Sequence, residues 1–484
     1  MAERITGTEM EYPVSVRVNT EDGSHGPDLP INSYQLAEVY KWCIPAGLTV
    51  VRTFATNGAR MYIDMNNWPE YATPEDGHIA EGTVANEIIG ERIQEEMFRA
   101  AAVEPRFSPN TRFDKAVVHK RVVGLNGDPK FAWGYHENYR ANRKNITFDA
   151  EGLTLLGLHL ATRNVYAGGG SIRQRKPGEP YEFYLAQKAM SVDIDFSATT
   201  TTRKPLVHTK DEPHADKEKY ARIHVVCGDP HMSPWAIRMQ LGPTSLVARL
   251  MEQGVKLDHL RLPPDQMHRM GHLVATDLTM RQTVTLANGK TIRPVEIQGE
   301  IYENALKLER EGFDDDDRWT VVEWERALTD IEDDPMLLKN RADWALMKHL
   351  LDGKYADDPD FVNTRYNSLD SSRLDPKHPA GLSSLGLYFR QNLWKQYMPD
   401  VALIEDRRYN PPETIAKLRT QVVEMLASLH VSPNAYMLNW NFLQLERTFP
   451  GQADQEVFLF EPGATELPDD LLKKLQSAGA VFSS

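Results

Sequence analysis

Cysteine is nearly missing. Two occur in 484 residues, Cys43 and Cys227, and no CxxC pair exists. A zinc site of the cysteine type is therefore not expected, and each thiol, set in an apolar stretch, reads as buried rather than nucleophilic. Long apolar runs are also missing. The N-terminal MAERITGTEMEYPV is acidic, so neither a secretory signal nor a membrane span is expected, and the cytoplasm is the expected setting. Basic charge is in deficit: 55 Lys and Arg stand against 69 Asp and Glu, a formal net charge of -14. This argues against a general nucleic-acid binder, although a local basic groove remains compatible with it. There is no GxxxxGK[ST], no GxGxxG opening a strand–helix unit and no GxSxG. These absences remove the P-loop, dinucleotide-binding and serine-hydrolase classes.

What is there exceeds one ordinary domain in length, so one large domain and a smaller one are expected. Residues 5–15, 48–65, 190–197 and 219–227 have the alternation of strands, while 82–102, 244–253 and 321–352 have helical spacing. The four acids Asp314–Asp317 read as a solvated loop or a helix start. Segments 165–180 and 353–384 read as loops. A Pro-led helix over 412–427 and strands over 436–445 and 454–460 suggest a small α/β appendage beginning near 395–410.

Five segments carry chemistry. In ITGTEMEY, a strand would put Gly7, Glu9 and Glu11 on one face. Adjacent carboxylates repel unless a cation or solvent separates them, so the pair is either a solvated face or a set of oxygen ligands for Mg²⁺. In NGARMYIDMNNWPEYATPE, Arg60, Tyr62 and Asp64 share a face and Glu70 returns after a short loop. That row suits a half-exposed strand, or a phosphate-holding arginine beside a proton-accepting aspartate. GYHENY holds His136, a potential ligand or an ordinary hydrogen-bonded residue. In KDEPHADKEKYARIHVVCGD, Arg222 and His224 share a strand face. In LNWNFLQL, Leu438, Trp440 and Phe442 share a face that is either plain core or a purine platform.

These segments, with PPETIAKLR ahead of the last, stand in the order found in the Pup ligase and Pup deamidase/depupylase family. The chain resembles that family over roughly its first half and again near the C-terminus, fading between about 280 and 410. The family is related to glutamine synthetases and γ-glutamyl–cysteine ligases. The resemblance implies an α+β fold, a curved antiparallel sheet forming a cradle backed by helices (glutamine synthetase-like), over 1–400, with a small C-terminal α/β domain over 401–484. It implies ATP and Mg²⁺ as cofactors. Glu9, Tyr62 and Glu70 would be Mg²⁺ ligands, with Glu11, His136 and His224 as further metal or phosphate-site residues. Arg60, Thr73 and Trp440 would contact ATP, and Asp64 would be the catalytic base. The implied partners are a small disordered Pup-like modifier, activated at its C-terminal Glu, and a lysine-bearing protein. The deamidase/depupylase branch has a long insertion between the first glutamate strand and the NGAR strand. The stretch 15–56 lacks it, which favours ligation. A hydrolase on the same scaffold, or a ligase for a small molecule or diverged modifier, is the alternative. Pro13, Lys210 and Trp68 depart from the family pattern and bear on substrate identity.

Overall fold

The computed structural model describes residues 4–18, 28–64, 67–176, 178–200, 202–372, 383–431, 436–445, 456–460, 467, 471 and 473. Its main sheet contains nine strands among these residues: β1 (Thr6–Glu11), β2 (Val50–Val51), β3 (Phe54–Ala55), β4 (Arg60–Ile63), β5 (Pro69–Ala72), β6 (Tyr135–Asn142), β7 (Ile194–Ser197), β8 (Pro205–His208) and β9 (Tyr220–Val225). Across the sheet they run β7, β8, β9, β6, β1, β5, β4, β3, β2. Neighbours are antiparallel, with one difference from expectation: β7 and β8 pair in parallel at the edge.

One face of this sheet is core. Met10, Tyr71, Tyr135, Tyr139 and Ile223 are buried on it. Behind it lie helix α1 (Ala85–Ala101) and helix α2 (Pro234–Glu252). Helix α2 begins earlier than its periodicity suggests, because Ser233 caps it and Pro234 suits the first turn, where no amide partner is needed. Charges under the sheet are paired. Lys120 lies 2.6 Å from both Glu87 and Glu91, and Arg163 meets Glu137 at 2.5 Å.

Several expected elements are subdivided. Pro13 has no N–H to continue the ladder, so 5–15 splits, and Val14–Arg17 joins a separate sheet with Leu29–Pro30 and Lys115–Val118. The span 48–65 is three short strands, and 190–197 is a 3₁₀ turn followed by β7. The 321–352 pattern breaks at Pro335 between helix α3 (Asp315–Asp333) and Asp343–Asp352. The acids 314–317 do start α3, with Asp314 as its cap. Asp317 is not solvated: it is buried against Arg4 and Arg249 at 2.6 and 2.9 Å. The loop 353–384 contains the short helix Pro359–Arg365, and its residues 373–382 lie outside the described ones. The loop 165–180 contributes the strand Ser171–Arg173. Both cysteines are buried. No helix among the described residues is long and apolar enough to cross a membrane.

Near the C-terminus, helix α4 (Ile415–Ser428) packs with a small antiparallel sheet of β10 (Tyr436–Leu438), β11 (Phe442–Leu445) and β12 (Glu456–Leu459). Their apolar cluster takes in Phe54 from the main sheet. Arg419 of α4, fully buried, fastens this unit. It pairs with Glu75 at 2.6 Å and donates to the carbonyls of Gly58 and Trp440 at 2.8 and 3.0 Å.

Candidate active site

Strand alternation decides which side chains leave the core. Glu9 and Glu11 point away from α1, as do Arg60 and Tyr62 on β4, Glu70 on β5, His136 and Asn138 on β6, and Arg222 and His224 on β9. Register then sorts them. Glu9 lies opposite His136, whereas Glu11 and Tyr62 both lie opposite Glu70. Two acidic clusters result.

The first is Glu9, His136 and His224, whose ligand atoms all lie within 4.8 Å of one another. Glu9 Oε2 is 3.1 Å from His136 Nδ1 and 3.8 Å from His224 Nε2. Its Oε1 accepts from Asn138 at 3.2 Å and from Arg222 at 2.9 Å. Burial opposes the Glu9 charge, but the His136 hydrogen bond and the Arg222 guanidinium prevail and hold its carboxyl well below the ordinary range. Burial and Arg222 push the His224 imidazole well below its ordinary value, and burial lowers His208 as well.

The second cluster is Glu11, Asp64 and Glu70, again within 4.8 Å. Burial and then the Glu9 charge lift Glu70 well above the ordinary carboxyl range, and burial lifts Glu11. The Tyr62 hydroxyl donates to Glu70, and burial together with the Glu70 charge keeps that phenol neutral. Asp64 sits at the β4–β5 turn, closed by its amide on the Trp68 carbonyl at 2.9 Å, and is only partly buried.

Both clusters fit divalent cations on their own chemistry. Glu11 Oε2 and His224 Nε2 are buried without a hydrogen-bond partner among the described residues. Glu11 and Glu70, which burial pushes toward their protonated forms, ionise readily only when a cation neutralises them. Beside them opens a cleft lined by Glu9, Thr73, Glu75, His214, Arg222 and Trp440. Thr73 Oγ1 accepts from the Thr8 amide at 2.9 Å, which fixes its wall. Trp440 stands edge-on to Phe54 at 5.2 Å and under Arg419 at 4.7 Å. Arg60 does not line the cleft. It lies over the rings of Tyr62 and Phe54 at 4.5 and 5.5 Å, and its Nε donates to Thr53.

Glu9, Glu11, Tyr62, Asp64, Glu70, His136 and His224 thus meet on one face, with Tyr62 bonded to Glu70 and the Glu9 charge acting on both. Arg222, Asn138 and His214 were not singled out as site residues. Arg222 joins Glu9, Asn138 at 2.7 Å and His214 at 3.3 Å, so His214 of the DEPHAD stretch reaches over the site while Asp211 and Glu212 stay exposed. The available signal was parity, since Arg222 shares a face with His224, as Asn138 does with His136. Lys210 pairs with Glu212 at 2.6 Å in an exposed bridge. Trp68 packs on Trp133 at 5.4 Å.

An α+β sheet whose open face gathers acids, imidazoles and an arginine beside an aromatic-walled cleft has the make-up of an enzyme active site. The comparisons specify which. The family model described as Pup-ligase protein matches residues 4–444. A Pup–protein ligase of Actinosynnema mirum is 31% identical over 466 residues, covering 96% of this chain and 97% of that protein. A Pup–protein ligase of Kineococcus radiotolerans is 30% identical over 481 residues, covering 98% and 99%. Among solved structures, the Pup ligase PafA in its complex with the prokaryotic ubiquitin-like protein Pup superposes with a TM-score of 0.76 at 21% identity, over 99% of this chain and 93% of that one. PafA in complex with ADP gives 0.71 at 22%, over 92% of each. At these identities the two structures establish the fold. The chain belongs to the Pup ligase family and is an enzyme.

Proposed function

We propose that this enzyme uses ATP to phosphorylate the C-terminal glutamate side chain of a Pup-like modifier and joins it to a protein lysine through an isopeptide bond. The observation that carries this reading is the convergence of Glu11, Asp64 and Glu70 next to the Glu9–Arg222 wall of the cleft. A carboxylate does not react with an amine at neutral pH because its oxide is too poor a leaving group. A carboxylate oxygen of the modifier attacks the γ-phosphorus of ATP as the bond to ADP breaks, giving an acyl phosphate. The amine then attacks its carbonyl carbon and phosphate leaves.

In this reading Trp440 and Thr73 border the base and sugar and Arg222 supplies positive charge to the phosphates, while Arg60, outside the cleft and over the Tyr62 ring, adds only to the positive field at its edge. Glu9, Glu70 and Tyr62, with Glu11, His136 and His224, would hold Mg²⁺, which would neutralise triphosphate charge. A lysine has a reference pKa near ~10.4 and arrives protonated. Asp64, partly open to solvent at its turn, takes that proton or steers the attack. An ATP-driven reaction and two unpaired cysteines suit a cytoplasmic setting.

We also place the division between the two domains between Arg407 and Ile415 rather than at 400/401. Ile404 packs in the main core and Ile415 in the second. Incubation with ATP, Mg²⁺, a Pup ending in Glu and a lysine-bearing acceptor tests the function. One ADP should form per conjugate, with the conjugate lighter than its parts by one water. Amine release without ADP would replace ligation with hydrolysis.

A further inference from the structure

The Glu9 cluster has a neighbour that the reading above leaves unused. His208, on β8, lies opposite His224 in the β8–β9 ladder. Its Nε2 is 3.0 Å from the carbonyl of Ala198, and its Nδ1 is 3.2 Å from Nδ1 of His224. A carbonyl only accepts, so Nε2 of His208 carries the proton. With His208 neutral, its Nδ1 is then a lone pair, and the proton in the bond between the two rings belongs to Nδ1 of His224. That leaves Nε2 of His224 unprotonated. This atom is buried, has no hydrogen-bond partner among the described residues and stands 3.8 Å from Glu9 Oε2. His224 itself is 8% exposed, so solvent does not satisfy that nitrogen.

We propose that His208 is a positioning residue: by accepting from Nδ1 of His224 it fixes the tautomer that presents Nε2 to the Glu9 cluster, and so sets the affinity of that cluster for a divalent ion that accepts nitrogen ligands. The proposal rests on the reading of Glu9, His136 and His224 as a metal site. A partner on the far nitrogen of a ligating imidazole orients the ring and fixes which nitrogen is free. Mg²⁺, which prefers oxygen, is a poor probe of this effect. Mn²⁺ accepts imidazole and is visible by EPR.

Two measurements test it. In the metal-free protein, ¹⁵N spectra of labelled histidine should show His224 as the Nδ1–H tautomer. His208→Phe keeps a ring in place but removes the acceptor, and should weaken Mn²⁺ binding by about 10- to 100-fold. His208→Asn, whose Oδ1 takes the place of Nδ1, should restore most of that affinity. His224→Ala calibrates the site. If His224→Ala weakens Mn²⁺ binding while His208→Phe leaves it unchanged, His208 has no positioning role. If neither variant alters Mn²⁺ binding, the metal site itself is misassigned and the proposal falls with it. An Nε2–H tautomer at His224 in the metal-free parent overturns the proposal without any variant.

Discussion

Asp64 and Glu70 stand in one carboxylate cluster within 4.8 Å of a common partner, Glu11, yet their surroundings assign them different work. Glu70 is buried, bonded by Tyr62 and driven toward its protonated form, which suits a group that ionises when a cation arrives. Asp64, at a turn and partly exposed, is open to an incoming amine. Asp64→Asn is therefore expected to keep ATP binding, read by calorimetry, while conjugate formation drops by about 10²-fold or more. Conjugation at the parent rate would remove Asp64 from the mechanism. A second residue links pH to stability. His119 is buried, with a 3.4 Å contact to Ser15, and burial followed by the Arg121 charge lowers its pKa to about 3. Its folded value lies below the unfolded one, near ~6.5. The unfolded chain therefore binds the extra proton, and stability falls as pH drops from the unfolded value toward the folded one. The slope from this group is at most about 1.4 kcal/mol per pH unit. His119→Gln should flatten the acid limb of urea-denaturation stabilities measured between pH 7 and pH 5. An unchanged acid limb would show that His119 does not titrate on unfolding.

At the scale of elements, helix α1 is fitted to the back of the sheet through Gly90. A Cβ there would meet Tyr71 Cδ1 at 2.4 Å, and that ring is buried with its hydroxyl held by Asn57 at 3.2 Å. Alanine in a helix normally gains about 1 kcal/mol over glycine. Here overpacking costs about 1–3 kcal/mol. Gly90→Ala should lower the urea midpoint, and a raised midpoint would mean that α1 can shift. This fit could not be read from the sequence, whereas parity within a strand could. Glu9 and Glu11 were placed on one face because alternation is local. Which cluster each joins depends on His136 and Glu70 in other strands, and no local pattern encodes that register. Parity likewise puts Arg222 on the face of His224, but its bonds to Asn138 and His214 appear only once β9 lies beside β6 and the DEPHAD stretch reaches over it. Pro13 and Pro335 did carry legible breaks, but periodicity on both sides masked them. The parallel edge pair of β7 and β8 has no signature in two short strands.

At the scale of the whole molecule, the C-terminal unit completes the cleft. Trp440 and Ile415 come from beyond residue 410 and face Thr73 and Glu9 from the main sheet. Arg419 is the fastening, paired to Glu75 and lying over the rings of Phe54 and Trp440 at 5.0 and 4.7 Å. Arg419→Met keeps a long apolar stem but leaves Glu75 and two carbonyls without a partner. It should cost about 3 kcal/mol in urea unfolding and raise the KM for ATP more than it lowers kcat. A normal KM would mean that the cleft does not need the C-terminal unit. The most direct test of the account is an anomalous difference map at the manganese edge from crystals grown with Mn²⁺ and a non-hydrolysable ATP analogue. Peaks bounded by Glu9, His136 and His224 and by Glu11 and Glu70, with the purine against Trp440, are predicted. Manganese bound instead at the remote Asp195–Asp265–His268 group, or a nucleotide outside the cleft, would contradict it.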